Sequence, residues 1–315
     1  MSSIITLTPN PCVDKNTTIK GLQPDKKLRC SKPVFEPGGG GINVSRAIQK
    51  LQGSSTAIYP AGGHTGGFLN KLLEKENIKS IVINTKDYTR ENIMVVDELT
   101  NKQYRFCMPG PLLTEDEWQD CLHAIESIND VEYIVASGSL PPGAPVDFFG
   151  RIAIIAKNKK AKLVLDTSGE SLKYALREGV YLWKPNLSEL SFYSGFNEIT
   201  TDIAFEAAKK IIAGGMAEII VTSLGAAGAM LVTKNISERF VTPVVNRKST
   251  VGTGDSMVAG IVLSLSKGKN LSEAVSYGVA CGTAATMNPG TELCKFSDVE
   301  KLYEQMKSIN YGDHK

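Results

Sequence analysis

The stretch that decides the fold is residues 249–265, STVGTGDSMVAGIVLSL, in which one acidic residue, Asp255, follows a Gly-Thr-Gly turn. Residues 257–265 are nearly all apolar or small, which predicts a helix that is buried on most of its faces. Asp255 then lies in the first turn, where unpaired backbone N–H groups point outward. Aspartate is a preferred N-cap residue, so a helix cap is one interpretation of its position.

The flanking glycines, Gly252 and Gly254, favour a second interpretation of the same turn. Bare backbone lets amide N–H groups approach a ligand closely, and a helix N-terminus favours an anion such as phosphate. A carboxylate at that place could accept a proton while the amides hold the charge that develops nearby. From this stretch alone, the helix cap and the catalytic residue are equally open interpretations of Asp255.

Composition limits the class of protein. The chain has 315 residues, of which 42% are hydrophobic and 22% are charged, as in ordinary globular proteins. A formal charge of +2 is too near zero to favour nucleic acid or an anionic membrane as a partner. The N-terminus lacks a basic or apolar leader, and no segment is long and apolar enough to span a bilayer. The six cysteines show neither CxxC nor zinc-type spacing, which fits a reducing compartment, so we expect a cytoplasmic protein.

Short β-rich runs alternate with longer helical patterns along most of the chain, which predicts an α/β core with a parallel sheet covered on both sides. The predicted core strands are residues 4–8, 57–59, 133–136, 163–165 and 219–222. The predicted helices are residues 41–52, 66–77, 145–158 and 200–214, followed by a hairpin (229–233 with 239–244) and helices near 255–267, 271–287 and 297–308.

Two segments, residues 15–36 and 88–108, break this alternation because they look like extended chain of mixed polarity without a helix. We predict that they form a small sheet that projects from the core as a lid or a dimer contact. No Pro/Ser/Gly-rich linker and no sharp change of composition divides the chain. We therefore expect a single domain of residues 1–315 with the lid segments inserted in it.

A run of four glycines, Gly38 to Gly41 in EPGGGGINVSRAI, opens the first predicted helix. The spacing matches neither the GxGxxG of dinucleotide-binding folds nor a P-loop, since no GK[ST] follows. A tight turn would by itself explain the glycines. Asn43, two residues later, favours a ligand site, because an amide beside bare backbone can donate to and accept from a polyhydroxylated ligand.

Polar turns follow several predicted strands at the sheet edge where open α/β sheets bind ligands. Asp14 in TPNPCVD is either an acceptor for sugar hydroxyls or a solvated turn residue. The small polar residues of SGSLPPG (137–143) could line a ligand, and the glycine-bearing turn VTSLGAAGAM (221–230) could carry nucleotide phosphates. In KPNLSEL, Asn186 and Glu189 share one face of a starting helix, which suits a hydrated Mg²⁺ and equally suits a capping box.

Three cations, Lys27 and Arg29 in KKLRC and Arg90 in DYTREN, lie on the projecting segments. Surface cations are usually only solvated, but arginine is well suited to paired contacts with phosphate. Taken together, the motifs indicate a sugar-type acceptor, a phosphate donor with Mg²⁺, and a base between them. The three histidines are scattered and belong to none of these motifs.

The motifs GGGGINVSRA, KPNLSEL and TVGTGDSMVAG resemble the two signatures and the magnesium motif of the ribokinase-like, PfkB-group carbohydrate kinases, over residues 4 to about 305. The resemblance implies a ribokinase-like (Rossmann-like) three-layer α/β core with a β-sheet lid that also forms a homodimer interface. KLRCSKPVFEPGGGGINVSRAI, YRFCMPGP and SGSLPPG are similar to the branch of this family that acts on fructose 6-phosphate. The implied activity is ATP-dependent phosphorylation at the 1-hydroxyl, which gives fructose 1,6-bisphosphate and ADP in glycolysis.

Three alternatives are kept beside that activity. The first is a neighbouring ketohexose-phosphate kinase, a 1-phosphofructokinase or a tagatose-6-phosphate kinase, whose pattern is a looser match. The second is a sugar- or nucleotide-sensing protein without catalysis, which the intact Asp255, Asn186 and Glu189 disfavour. The third is a dinucleotide oxidoreductase, which is disfavoured because no fingerprint follows the first strand.

The same resemblance implies roles for individual residues. Asp255 becomes the catalytic base, and the amides of residues 251–255, including Gly252 and Gly254, form an anion hole for the transferring phosphoryl group. The implied contacts with the sugar phosphate are Asp14, Gly39, Asn43 and Ser139 for the sugar and Lys27, Arg29 and Arg90 for its phosphate. The implied contacts with ATP are Lys184, Asn186, Ser223, Gly225 and Gly228. The resemblance also implies that Asn186 and Glu189 organise Mg²⁺ through water.

A monovalent cation, K⁺, is also implied beside the anion hole. The residues that match its site are Ser249, Val251, Ala285, Asn288 and Gly290. Pro289 and Glu292 stand where the family pattern has glutamine and arginine. The signature also reads GTGD where GAGD is commoner, but the added hydroxyl of Thr253 leaves the backbone amides in place.

Overall fold

The computed structural model describes residues 3–195 and 200–312, in which two β-sheets are present. The strands of the larger sheet are β1 (Ser3–Leu7), β4 (Thr56–Gly62), β5 (Lys79–Thr85), β8 (Val131–Ser137), β9 (Lys162–Asp166), β10 (Val180–Trp183), β11 (Ala217–Ser223), β12 (Ala229–Val232) and β13 (Ser237–Phe240). The strands of the smaller sheet are β2 (Cys12–Ile19), β3 (Val34–Gly38), β6 (Arg90–Asp97) and β7 (Lys102–Phe106).

The larger sheet has the order β13-β12-β11-β10-β9-β8-β1-β4-β5. The seven strands β11, β10, β9, β8, β1, β4 and β5, which are neighbours in this order, all pair in parallel. The hairpin of β12 and β13 extends the sheet beyond β11 with antiparallel pairing. The carboxyl ends of the parallel strands therefore share one edge, and the polar turns that follow them meet there.

Two layers of helices cover this sheet, because the side chains of each strand alternate between its faces. The helices are α1 (Gly40–Lys50), α2 (Gly63–Lys75), α3 (Glu115–Ser127), α4 (Phe148–Lys159), α5 (Glu170–Glu178), α6 (Leu187–Ser194), α7 (Thr201–Ala213), α8 (Thr253–Ser266), α9 (Leu271–Thr286) and α10 (Phe296–Gly312). Helices α3 to α7 pack on the face that carries Ile5 and Ile134, and α1, α8, α9 and α10 pack on the face that carries Ile4 and Val135.

The smaller sheet has the order β3-β2-β6-β7 and comes from the two segments that break the helix–strand alternation. Within the first segment, residues 20–33 belong to no strand. The sheet is held to the larger body at two places near the predicted anion hole. Arg105 Nη2 donates to Thr250 Oγ1 at 3.1 Å, and the carboxylate of Glu36 accepts from the backbone N–H of Thr291 at 3.2 Å.

The predicted α/β class, the three layers and the separate small sheet are confirmed, and each predicted core strand and helix is present with shifted ends. Four elements escaped prediction, namely β5, β10, α3 and α5. Strand β5 is an edge strand without a buried run, and β10 has only four residues, so neither gives a clear periodic signal. No helix in the described ranges is long and apolar enough to cross a membrane.

Candidate active site

Asp255 lies in the first turn of α8, a helix whose residues from Ser256 to Ser264 are all buried. In the described chain no side chain caps this helix, so the carboxylate does not serve as the N-cap. Gly252 takes that position with φ of 70°, and a Cβ there would collide with Leu293. Glycine is therefore required at the turn, and the amides that follow it stay free of side-chain cover.

The carboxylate of Asp255 accepts a hydrogen bond from Nδ2 of Asn43 at 2.9 Å. Burial raises the pKa of Asp255 to about 7, and the negative charge of Asp166 adds to the rise. The hydrogen bond from Asn43 and the charge of Lys184 act in the opposite direction. A carboxylate with this pKa can accept a proton near neutral pH, as a general base must.

A buried ion pair lies beside the anion hole. Nζ of Lys184 is 3.2 Å from Oδ1 of Asp166, and both side chains are largely buried. Burial alone would lower the pKa of Lys184, but the charges of Asp166 and Glu189 outweigh it and the pKa is raised. A Cβ on Gly254 would lie 3.3 Å from Nζ, so the ammonium group sits against the bare backbone of the turn. Lys184 thus remains a cation next to the predicted phosphoryl site.

Asp166 is one of two residues of this candidate site that no sequence motif singled out. It ends β9 in the stretch VLDTSGE, directly after a predicted strand. The rule that singled out Asp14, a carboxylate in the stretch that follows a predicted core strand, would have found it. Asp14 itself lies on β2 of the smaller sheet and not in a turn, because the chain pairs with β3 and β6 from Cys12 onward.

The glycine run and the first strand form the predicted sugar side of the site. Gly39 is the N-cap of α1 with φ of 116°, and a Cβ there would collide with Thr8 at the end of β1. Oδ1 of Asp14 accepts hydrogen bonds from Nδ2 of Asn92 at 3.0 Å and from Sγ of Cys12 at 3.2 Å. These contacts fix the carboxylate.

Two further polar side chains lie at this edge. Nδ2 of Asn10 donates to Oγ of Ser139 at 3.3 Å, and Oδ1 of Asn10 is buried without a partner in the described residues. An unpartnered buried acceptor is costly, which favours a donor from a bound ligand or water. Asn10 is the second residue of the candidate site that no sequence motif singled out.

The three predicted phosphate-binding cations take different places. The guanidinium of Arg90, at the start of β6, donates to the carbonyls of Asn10 at 2.9 Å and Met108 at 3.0 Å. Its Nε is buried and has no partner among the described residues. Lys27 and Arg29 are exposed in the strandless segment 20–33, whose Ser31 pairs with Thr18 toward the other end of β2. The structure brings Arg90 to the site, and it places Lys27 and Arg29 toward the far end of the small sheet.

Asn186 and Glu189 form the capping box at the start of α6 that their spacing also allowed. Oδ1 of Asn186 accepts from the N–H of Glu189 at 2.8 Å, and Oε2 of Glu189 accepts from the N–H of Asn186 at 2.9 Å. Burial raises the pKa of Glu189, partly offset by the hydrogen bond and by Lys184. The box uses one carboxylate oxygen, so the other can still reach a metal-bound water. In the described residues no three His, Cys, Asp or Glu side chains cluster as a metal site.

The predicted nucleotide turn follows β11. Ser223 forms an isolated parallel β-bridge with Asn186, the N-cap of α6, so the turn lies next to the start of that helix. Gly225 has φ of 60° and open space where a Cβ would be, as expected of backbone that faces a ligand. Gly228 has φ of 95°, and a Cβ there would collide with the carbonyl of Phe240. The close approach of β13 is therefore enough to explain the glycine, without any contact with a ligand.

The predicted monovalent-cation residues come together where two loops meet the last turn of α9, since the N–H of Ser249 donates to the carbonyl of Thr286 at 3.3 Å. Ser249 Oγ donates to the carbonyl of Gly290 at 2.9 Å and accepts from the N–H of Val251 at 3.2 Å. The N–H of Asn288 donates to the carbonyl of Ala285 at 3.2 Å. Carbonyl and hydroxyl oxygens of this kind are the ligands that K⁺ takes in proteins, so the residues fit that ion.

A helix N-terminus of bare backbone that holds a carboxylate of raised pKa and a buried lysine is suited to phosphoryl transfer onto a hydroxyl group. The fold and this site thus define a kinase of small molecules. Residues 5–297 match the family described as pfkB family carbohydrate kinases, and the chain belongs to that family.

The relatives within the family are similar over almost their whole length. ATP-dependent 6-phosphofructokinase isozyme 2 of Escherichia coli (strain K12) is 44% identical over 96% of this chain and 98% of its own. The enzyme of the same description from Mycobacterium tuberculosis is 42% identical over 96% of this chain and 89% of its own. A 1-phosphofructokinase of Borreliella burgdorferi is 33% identical over 96% of this chain and 97% of its own.

The comparison with solved structures finds relatives of the same kind as the comparison of sequences. Crystal structures of phosphofructokinase-2 from Escherichia coli in complex with potassium and with fructose-6-phosphate match this chain with TM-scores of 0.94 and 0.93, at 43% and 42% identity. Each comparison covers 98% of this chain and 100% of the other. The similarity therefore includes both sheets.

Proposed function

We propose that this protein transfers the γ-phosphoryl group of ATP to the 1-hydroxyl of fructose 6-phosphate, which gives fructose 1,6-bisphosphate and ADP. The observation that carries the proposal is Asp255, held by Asn43 inside the first turn of α8 and with a pKa of about 7. It is supported by the 44% identity to a 6-phosphofructokinase, against 33% to a 1-phosphofructokinase.

In this mechanism Asp255 accepts the proton of the sugar hydroxyl as that oxygen attacks phosphorus. The amides after Gly252 and the ammonium group of Lys184 receive the negative charge of the transferring group. Asp14 and Ser139 orient the sugar, and the paired donors of Arg90 bind its existing phosphate once they leave the carbonyls they hold here.

A divalent metal accompanies ATP in such kinases, and we propose Mg²⁺, held through water by Glu189 and the start of α6. It would neutralise charge on the phosphates of ATP. We propose K⁺ at the loops of Ser249 and Gly290, where the oxygen ligands would steady the turn that carries the anion hole.

The experiment that tests the proposal is ADP release from ATP with a panel of acceptors: fructose 6-phosphate, fructose 1-phosphate, tagatose 6-phosphate and the unphosphorylated sugars. We expect fructose 6-phosphate to give the highest kcat/KM. A higher kcat/KM with fructose 1-phosphate or tagatose 6-phosphate would identify one of the neighbouring kinases. The absence of ADP release with every sugar, from protein that binds ATP, would support the sensing alternative.

We also propose a cytoplasmic homodimer that consists of single kinase domains and is joined through the small sheet. The strands of the two sheets alternate along the chain, which supports one domain. The small sheet carries large exposed apolar side chains, including Val34 and Phe106, which favour a protein partner. Exposed free thiols at Cys30 and Cys107 fit a reducing compartment. Light scattering of Val34→Asp should show monomers.

A further inference from the structure

Arg46, on α1, is a buried arginine that is not among the residues assigned to the site above. Its side chain is 2% exposed. Nε and Nη2 donate to the two carboxylate oxygens of Glu76, both at 2.8 Å, and Nη1 donates to the carbonyl of Pro37 at 2.9 Å and to Oδ1 of Asn43 at 3.3 Å. The guanidinium is therefore held in one orientation by three separate parts of the chain.

The contact with Asn43 has a consequence for the site. A carboxamide has one side that accepts and one side that donates, whereas a guanidinium only donates. Since Nη1 of Arg46 takes the oxygen of Asn43, the NH₂ group is left to face Oδ2 of Asp255 at 2.9 Å. In the reversed amide, the oxygen would face the Asp255 carboxylate and repel it unless Asp255 carried a proton.

We propose that Arg46 is a positioning residue for the phosphoryl transfer: its guanidinium fixes the orientation of the Asn43 amide, so that Asn43 donates to Asp255. The inference rests on the proposed function, in which Asp255 is the base. Arg46 acts through Asn43 and does not touch the substrate.

The surroundings of Asp255 make this donated hydrogen bond important. Asp166 on β9 and Asp14 on β2 both place negative charge toward Asp255, and Lys184 after β10 is the facing cation. Burial and the two carboxylates favour the protonated form, and the bond from Asn43 is the first force that opposes them. Without a fixed Asn43, the pKa of Asp255 should rise further, and the base should be protonated over a wider range of pH.

The bonds of Arg46 to Glu76 and Pro37 also have a structural role, since they join α1 to the C-cap of α2 and to β3. Glu76→Gln provides the matched control. It removes the charge from the ion pair on the far side of the guanidinium and leaves the contact of Nη1 with Asn43. A purely structural role of Arg46 predicts that both variants lose stability and activity in the same way at every pH.

The test is kcat/KM for fructose 6-phosphate between pH 5.5 and 9 in wild type, Arg46→Lys and Glu76→Gln. Lysine keeps the charge, but one ammonium group cannot hold Glu76 and also orient the amide. The loss of a hydrogen bond to a charged group corresponds to about one pKa unit. In Arg46→Lys we therefore expect the acid limb, the fall of kcat/KM on the acid side of the pH profile, to move up by about one pH unit. That shift means roughly a tenfold loss at pH 6 and less than about threefold at pH 9. Glu76→Gln should lower Tm without moving the limb.

The inference would be overturned if Arg46→Lys lowered kcat/KM by the same factor at all pH values. It would also be overturned if Glu76→Gln moved the acid limb by the same amount. Failure of the proposed function has a different signature, because Asp255→Asn would then keep its activity. The pH dependence of unfolding gives a readout that needs no catalysis. If Arg46→Lys raises the pKa of Asp255, the fall in stability with rising pH should extend about one unit higher than in wild type. An unchanged midpoint of that fall would contradict the role of Arg46 whatever the enzyme's substrate is.

Discussion

Nδ2 of Asn43 lies 2.9 Å from Oδ2 of Asp255, although the two residues are 212 positions apart in the chain. The contact joins α1, which the glycine run opens, to α8, which the Gly-Thr-Gly turn opens. Both helices lie on the same face of the larger sheet, so their N-termini converge at the carboxyl ends of its strands. The proposed base is therefore held by a residue of α1, the helix that we propose contacts the sugar.

Replacement of Asp255 by asparagine tests the assignment of the base. Asparagine keeps the size of the side chain but cannot accept the proton, and general-base catalysis contributes about 10²–10⁴-fold. We expect kcat to fall by about that factor, with little change of KM. Steady-state kinetics with fructose 6-phosphate measures both values. A variant that keeps more than about a third of the wild-type kcat would refute the assignment.

The raised pKa of Asp255 also predicts how stability depends on pH. The pKa is about 7 in the folded protein against an ordinary value of 3.8, so between these values the folded state keeps a proton that the unfolded chain loses. The stability that this bound proton contributes is thus fully present below about pH 4 and is lost as the pH rises toward 7. At about 1.4 kcal/mol per pKa unit, the cost above pH 7 is about 4 kcal/mol.

Asp255→Asn removes this cost, so its free energy of unfolding relative to wild type should be higher at pH 8 than at pH 5 by about 2–3 kcal/mol. Urea denaturation at the two pH values measures the difference, and any constant effect of the asparagine cancels. Equal differences at both pH values would mean that Asp255 does not have a raised pKa. In wild type, kcat/KM should rise with pH through about 7 as the base loses its proton.

Glu189→Gln separates the metal role from the helix cap. A glutamine at this position can still accept the N–H of Asn186, so the capping box and Tm should be retained. Loss of the carboxylate charge should raise the Mg²⁺ concentration needed for half-maximal rate. Glu189→Ala, which removes the cap as well, should lower Tm and serves as the comparison. Unaltered Mg²⁺ dependence in Glu189→Gln would leave Glu189 with the structural role alone.

The sequence predicts the larger part of this fold because apolar residues recur along the core strands and helices with the regular spacing of those elements. It also predicts where the site lies, since Asp14, Ser139 and Ser223 each follow a predicted strand. The weak elements were missed for a physical reason: an edge strand such as β5 is half-exposed, and its position is decided by pairing with β4.

The contacts between distant residues could not be read in the same way. Nothing local to Arg46 shows that its guanidinium reaches Glu76 on α2 and Asn43 at once, because that depends on how two helices pack. The spacing of Asn186 and Glu189 is the opposite case. One pattern fits two geometries, and the structure shows the capping box, which uses one oxygen of the Glu189 carboxylate.

Arg90 provides the last prediction, the selection of a phosphorylated sugar. Its Nη groups are held by the carbonyls of Asn10 and Met108, and its buried Nε has no partner in the described chain. An unsatisfied buried donor of this kind favours a ligand with acceptor oxygens. Charge-assisted contacts to phosphate contribute about 1.5–3 kcal/mol, so Arg90→Ala should lower kcat/KM for fructose 6-phosphate roughly 10- to 150-fold. Free fructose, whose reaction should already be slow, should show almost no loss.

The alternative is that Arg90 only anchors the chain near Asn10, beside Ser139. In that case the alanine variant would disturb the sugar site itself, and the proportional losses with fructose 6-phosphate and fructose would be equal. Arg90→Lys should recover part of the activity at best, because an ammonium group cannot make the paired contact. Lys102→Ala, an exposed cation on β7 of the same sheet, is the matched control and should leave both activities unchanged. A selective loss in Arg90→Ala alone therefore identifies phosphate binding, since neither anchoring nor the general charge of the small sheet distinguishes the two sugars.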